Sequence, residues 1–152
     1  MIDHVLESIK TYYLEWLPFN KVLGISIDHL DYETSGAVTS FPMKPDLIGN
    51  SAAGILHGGV TAAVIDLTGG LSALLSCVKI NEGASLEDIQ AKLVASATID
   101  MRVDYLRAGK GDFFTATGSV LRQGNKVAVI RTEFCNDLNL LIAAGTGTYL
   151  VG

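Results

Sequence analysis

The chain has 152 residues, a length that suits one domain with a substantial core and no need of disulfide staples. Hydrophobic residues make up 49% and charged residues only 18%, below the roughly 25% of ordinary globular domains, so some apolar surface is expected to lie between subunits. A net charge of −5 lacks the basic footprint that nucleic acid or an anionic membrane requires, and neither is expected as a partner.

Residues 3 to 16 read as a surface helix, with Val5, Ile9, Tyr12, Tyr13 and Trp16 near i, i+4, i+7 spacing. This start carries Asp3, Glu7 and Glu15 and lacks the basic region followed by an apolar run that marks a signal peptide. Pro18 ends the helix or begins the next turn. Gly24 to Tyr32 and Ser35 to Phe41 read as two strands joined by a tight turn. Pro42 and Pro45 break that pattern, and Asp46 to Leu56 reads as a loop rich in small residues. His57 to Lys79 is predicted to be one long apolar helix. Its stretch from Val60 to Val78 approaches the length of a membrane span. Asp66 lies inside that stretch and no basic flank sets an orientation, so a helix wrapped by its own protein is expected.

After a linker, Ser85 with Asp88 reads as the capping box of a short helix. The period then changes to two. Ile99, Met101, Val103 and Tyr105 alternate with Thr98, Asp100, Arg102 and Asp104, as in a half-buried strand. Asp112 to Arg122 and Lys126 to Cys135 form a hairpin through Gly124-Asn125, and Asn139 to Val151 is the last strand. Small residues stud these strands, among them Ala116, Gly118, Ala128, Ala143, Gly145 and Gly147. They allow a strongly curved antiparallel sheet to close around a helix. The expectation is one α+β domain over 1–152, a hotdog fold around the helix at about 57–79. Cys77 and Cys135 show no metal-ligand or redox spacing and read as buried thiols of a reducing cytoplasm.

The segment Gly49-Asn50-Ser51-Ala52-Ala53-Gly54-Ile55-Leu56-His57-Gly58-Gly59 holds the chemistry, because it runs into the helix bearing Asp66. A helix start offers unpaired N–H groups at a positive dipole end. Gly58 and Gly59 do not shield them, so a carbonyl oxygen could approach as it does in an oxyanion hole. His57 could orient the substrate or polarise the same carbonyl. Asp66 is the one ionisable side chain between His57 and Lys79, able to act as general base on water or as nucleophile. Each feature also has a plain structural explanation: a Gly-Gly turn, or an aspartate bonded to a neighbouring hydroxyl. Gly59 and Asp66, seven residues apart on one helix, are roughly 10 Å apart along its axis. A carbonyl held at Gly59 must be attacked from about 3–3.5 Å. Pairing Gly59 of one chain with Asp66 of another is the easier solution, and a homodimer, pairing in turn into a homotetramer, is the expected assembly.

These residues resemble the HGG-type hotdog thioesterases, the family of the phenylacetate-pathway and 4-hydroxybenzoyl-CoA enzymes. The resemblance rests on the His-Gly-Gly helix start, the acid nine positions after the histidine, and Asp104-Tyr105-Leu106-Arg107. Leu56-His57-Gly58-Gly59-Val60, Thr98-Ile99-Asp100, Gly124-Asn125-Lys126-Val127-Ala128-Val129 and Thr148-Tyr149-Leu150-Val151-Gly152 are most similar to the YigI-type medium- and long-chain acyl-CoA thioesterases. The resemblance implies hydrolysis of an acyl-CoA without a cofactor or metal. Asp66 would be the base or nucleophile, Gly59 the main oxyanion donor, and His57 its assistant. Thr98 would help hold the attacking water. Asn50 would be the loop amide near the thioester, although it lies seven residues before His57 where six are expected, which makes Ser51 its rival. Some relatives carry Ser or Thr four residues after the acid, where this chain has Gly70. Arg107 and Lys110, flanked by Gly109 and Gly111, are the candidates for the CoA phosphates. A hydratase or dehydratase of the same fold, or an acyl-CoA-binding module without catalysis, are the competing readings.

Overall fold

The computed structural model describes residues 2–152. Its helices are α1 (Ile2–Thr11), α2 (Pro18–Leu23), α3 (Gly58–Ile80) and α4 (Leu86–Ala95). Its strands are β1 (Ser26–Asp31), β2 (Gly36–Pro42), β3 (Ile48–Asn50), β4 (Ile55–Leu56), β5 (Ala97–Tyr105), β6 (Phe113–Gln123), β7 (Val127–Asn136) and β8 (Leu141–Leu150). Six of the strands form one antiparallel sheet in the order β1-β2-β6-β7-β8-β5, and α3 packs against β2, β5, β6, β7 and β8. This is the expected α+β hotdog arrangement, with the central helix of the predicted length displaced by one residue and His57 as its N-cap.

The curvature has a local cause. A Cβ on Gly145 would stand 2.4 Å from Ile65 Cγ2, and one on Gly118 would stand 2.3 Å from Ser72 Oγ. The β6 and β8 backbones therefore ride directly on α3, with Ala116 and Ala143 fully buried beside them. Phe41, Phe114 and Phe134 stack at the core's other end, ring centres 5.5 and 6.0 Å apart. Such pairs add about 0.5–1.5 kcal/mol each beyond their area. The α3 helix is long and apolar enough to cross a membrane, yet 67% of its most apolar window is buried within its own fold.

The close approach leaves one polar cost. Ser72 Oγ is fully buried and, among the described residues, has no hydrogen-bond partner. An unmet buried hydroxyl costs about 1–3 kcal/mol. Ser72→Ala is therefore expected to stabilise the protein, raising Tm by about 2–4 °C in a calorimetric scan.

The sequence reading needs three corrections. The N-terminal helix stops at Thr11 and continues as a wider π turn over Tyr12–Trp16. A second helix, α2, follows, opened by Pro18 and closed by Gly24 at φ 74°. Proline at a helix start and a left-handed glycine at its end are its sequence signals. The stretch 46–56 is not a plain loop, because a 3₁₀ turn (Pro45–Leu47) leads into the ribbon β3–β4. At the edge of the sheet, β5 pairs with β8. It lies beyond β8 with its other edge unpaired.

Candidate active site

The α3 helix begins where β4 ends, and its first turn is held from three sides. The His57 side chain accepts a hydrogen bond from the Gly59 N–H through Nδ1 at 2.9 Å. This leaves Nε2 as the proton-bearing nitrogen of the neutral ring, on an exposed side chain. The Gly59 N–H, the expected oxyanion donor, is thus already engaged and would serve a substrate oxygen by sharing that bond. The Gly58 N–H has no protein partner among the described residues. Tyr105, from the end of β5, donates its hydroxyl to the Gly58 carbonyl at 2.7 Å. A Cβ on Gly58 would lie 3.3 Å from the Tyr105 ring, and one on Gly59 would lie 2.9 Å from His57 Nδ1. The two glycines make room for these rings as well as for any ligand.

The third side is the ribbon. Gly49 passes so close to His57 that a Cβ would stand 2.6 Å from His57 Cα. Ile48 pairs with Leu56 and Asn50 with Ile55, which leaves Gly49 as the extra residue of a bulge. The bulge gives the ribbon one more residue between Ile48 and Asn50 than a regular ladder would hold. Asn50 and Ser51 both stay exposed at the ribbon's tip, and Asn50 Oδ1 accepts from the Ala53 N–H at 3.3 Å.

Asp66 lies two turns further along α3 and is half-buried. Thr98 donates its hydroxyl to Asp66 Oδ1 at 2.8 Å, and Tyr149 donates to the Asp66 main-chain carbonyl at 3.2 Å. Thr98 and Tyr149 face each other across the β5–β8 ladder, so one cross-strand pair grips the residue by both its side chain and its backbone. Among the described residues no hydrogen bond reaches the second carboxylate oxygen, Oδ2, although the Tyr149 hydroxyl lies beside the carboxylate. The pair depends on a bulge in β5 between Thr98 and Asp100. That bulge shifts the phase of the strand, so Thr98 joins Met101, Val103 and Tyr105 in facing α3. Ile99, placed by simple alternation on the core face, is instead 55% exposed.

Burial raises the Tyr149 hydroxyl far above the ordinary phenol range, and the nearby Asp66 charge adds to the effect. Tyr149 is therefore a hydrogen-bond donor at every working pH.

Arg107 and Lys110 come together in a hollow of about 560 Å³ that Asp112 and Asp137 also line. One guanidinium nitrogen of Arg107 is taken by the Leu141 carbonyl at 2.8 Å. The loop touches the start of α3 directly, since the Leu56 N–H donates to the Gly109 carbonyl at 2.9 Å. Basic residues and helix start thus share one end of the molecule. Cys77 is buried, its thiol pushed up by burial and donated to the Val151 carbonyl. Cys135 is only half-buried.

Residues 53–143 match the thioesterase superfamily, a span that includes the His57 helix start, Asp66 and Thr98. The chain belongs to that superfamily. It is 42% identical over 150 residues to the medium/long-chain acyl-CoA thioesterase YigI of Escherichia coli (strain K12), covering 99% of this chain and 96% of that one. A crystal structure of a Shewanella oneidensis protein related to the thioesterase superfamily is 46% identical, with a TM-score of 0.94 over 99% of this chain and 97% of that one. The Escherichia coli PaaI protein of the phenylacetic acid degradation operon shares the fold at 22% identity and a TM-score of 0.76, over 98% of this chain and 94% of that one.

Against this superfamily background, Tyr105 and Tyr149 are the site neighbours that sequence reasoning did not assign. Both lay inside the matched blocks, but nothing in their spacing showed which element each would reach.

Proposed function

We propose that this member of the superfamily hydrolyses medium- and long-chain fatty acyl-CoA thioesters to the free acid and CoA, in the cytoplasm. The observation that carries the reading is the hold on Asp66: Thr98 fixes one carboxylate oxygen and Tyr149 holds the main-chain carbonyl, which orients the carboxylate on α3. Similarity to a medium/long-chain acyl-CoA thioesterase over nearly the full length supports the substrate class.

Asp66 takes a proton from water as the water oxygen attacks the thioester carbon, or attacks that carbon itself to form an anhydride. The resulting oxyanion is met by the N-terminal turn of α3, with Gly58, Gly59 and the His57 Nε2–H as donors. The C–S bond then breaks and CoA leaves as a thiolate that takes up a proton; on the anhydride route a water molecule next cleaves the acyl–Asp66 bond, which frees the acid and restores the carboxylate. Arg107 and Lys110 would meet the CoA phosphates, and Asn50 and Ser51 would border the entrance.

The α3 helix is continuous between Gly59 and Asp66, so one chain's pair stays about 10 Å apart along the axis. A dimer joined along the free edge of β5 would bring one chain's helix start to its partner's Asp66. The exposed Ile99, Tyr105 and Leu106 on and beside that edge favour it. Pairing of such dimers into a tetramer extends the same reading.

The direct test is hydrolysis of acyl-CoAs from acetyl to palmitoyl, with phenylacetyl and benzoyl, followed by loss of thioester absorbance so that Cys77 and Cys135 do not react with a thiol dye. Medium and long chains should be turned over fastest, and a protein that binds them without turnover would sink the reading. The shared site has its own test. Asp66→Ala and Gly59→Val, each inactive alone, should recover activity when unfolded and refolded together, because a mixed dimer retains one intact site. No recovery from a mixed dimer would place the whole reaction within one chain.

A further inference from the structure

Tyr13 is buried on the packed side of the N-terminal helix, against Leu71, Leu74 and Leu75 of α3. Its main chain is pinned, since the buried Asn20 side chain donates to the Tyr13 carbonyl at 2.9 Å from across the π turn. Its hydroxyl points to one particular place on α3. A Cβ on Gly70 would stand 3.5 Å from Tyr13 Oη and 3.6 Å from the Tyr149 ring. Gly70 is four residues after Asp66, on the next turn of the same face, where Cβ positions lie about 5–6 Å apart.

The hydroxyl is also unoccupied. Among the described residues it makes no hydrogen bond, whereas the one fully enclosed unpartnered side-chain atom is Ser72 Oγ. Tyr13 as a whole is 9% exposed, so its hydroxyl is buried without being sealed. Asp66 Oδ2 lacks a partner in the same neighbourhood. A donor with no partner and a carboxylate with an oxygen to spare thus lie about one helical turn apart along α3, near enough for the Asp66 charge to act on the Tyr13 hydroxyl.

Resting on the thioesterase reading, we infer that Tyr13 is a further residue of the catalytic site, its hydroxyl donating a hydrogen bond to the water that Asp66 activates. The water gives its proton to Asp66 Oδ2, its oxygen bonds to the thioester carbon, and Tyr13 keeps its own proton throughout. Burial, with Tyr12 and Asp66 nearby, holds the Tyr13 hydroxyl far above the usual phenol range, so it stays a donor across the working range. The N-terminal segment thereby becomes part of the site instead of a cover over it.

The experiment compares Tyr13→Phe with wild type on an acyl-CoA that the wild type hydrolyses and Asp66→Ala does not. The phenyl ring keeps the packing. The expected result is a fall in kcat of about tenfold to a hundredfold, with KM and Tm held. A second variant, Tyr13→Phe with Gly70→Ser, returns a hydroxyl to the same place from α3 and should recover part of the lost kcat. Unchanged kcat in Tyr13→Phe would overturn the inference. If Tyr13→Phe loses stability and activity together, the double variant decides: recovered turnover supports the inference, and none overturns it. An active wild type with an inert Asp66→Ala establishes the thioesterase reading whatever Tyr13 does. A wild type inert on every acyl-CoA would overturn both.

Discussion

Asp66→Ala is expected to lower kcat for acyl-CoA hydrolysis by about a thousandfold while the fold survives, a loss of roughly 4 kcal/mol in transition-state stabilisation. Among the described residues the carboxylate makes no ion pair, and it is half-buried, so its removal leaves no charge stranded in the core. Its side-chain partner, Thr98, lies on an exposed part of β5 and can turn its hydroxyl to water. Stability should therefore shift little, and Tm should stay within about 2 °C. Asp66→Asn separates the roles further. It retains an oxygen for Thr98 but cannot take a proton, so its turnover should be nearly as low. Equal turnover by wild type and either variant, followed through thioester absorbance, would remove Asp66 from the mechanism.

The second large effect concerns two adjacent glycines whose substitution should act in opposite directions. Alanine is favoured over glycine inside a helix by about 1 kcal/mol. At Gly70 the new methyl would meet Tyr13 Oη and the Tyr149 ring at 3.5 and 3.6 Å, ordinary contact distances. Gly70→Ala should therefore gain stability and raise Tm by about 2–4 °C. At Gly69 the methyl would lie 2.1 Å from Tyr149 Oη and 2.8 Å from its Cζ. Tyr149 is 4% exposed and fixed by its bond to the Asp66 carbonyl, so the ring has no simple way to yield. Overpacking of this kind costs about 1–3 kcal/mol and outweighs the helical gain. Gly69→Ala should lower Tm by several degrees and, by loosening the grip on Asp66, lower kcat as well. A Gly69→Ala protein as stable and active as wild type would show that Tyr149 does not position Asp66.

Several parts of the site were legible residue by residue. The apolar run from 57 to 79 interrupted by one acid marked a helix wrapped by its own fold and carrying a lone carboxylate. The small residues of β6 and β8 marked strands pressed against it, and Gly118 and Gly145 contact it as closely as that reading requires. The Ser85–Asp88 capping box stands as read, with Ser85 and Asp88 bonding reciprocally. The less legible parts share a cause. A bulge inserts one residue without a mark in the hydrophobic pattern, so strict alternation in β5 put Ile99 inward when it faces out, and nothing in the pattern marked the extra residue at Gly49 in the ribbon.

Composition, periodicity and caps are local properties, and they settled what each segment is: the helix start at His57, the long apolar α3, the hairpin β6–β7 and the acid at 66. Which segments meet is decided by closure of the sheet, a matter of register and strand order over distances the pattern does not encode. Only the folded chain placed β5 beyond β8 with an open edge, and set Thr98 opposite Tyr149 around Asp66. Only there does Tyr13, more than fifty residues before Asp66 in the chain, come to stand one helical turn away from it.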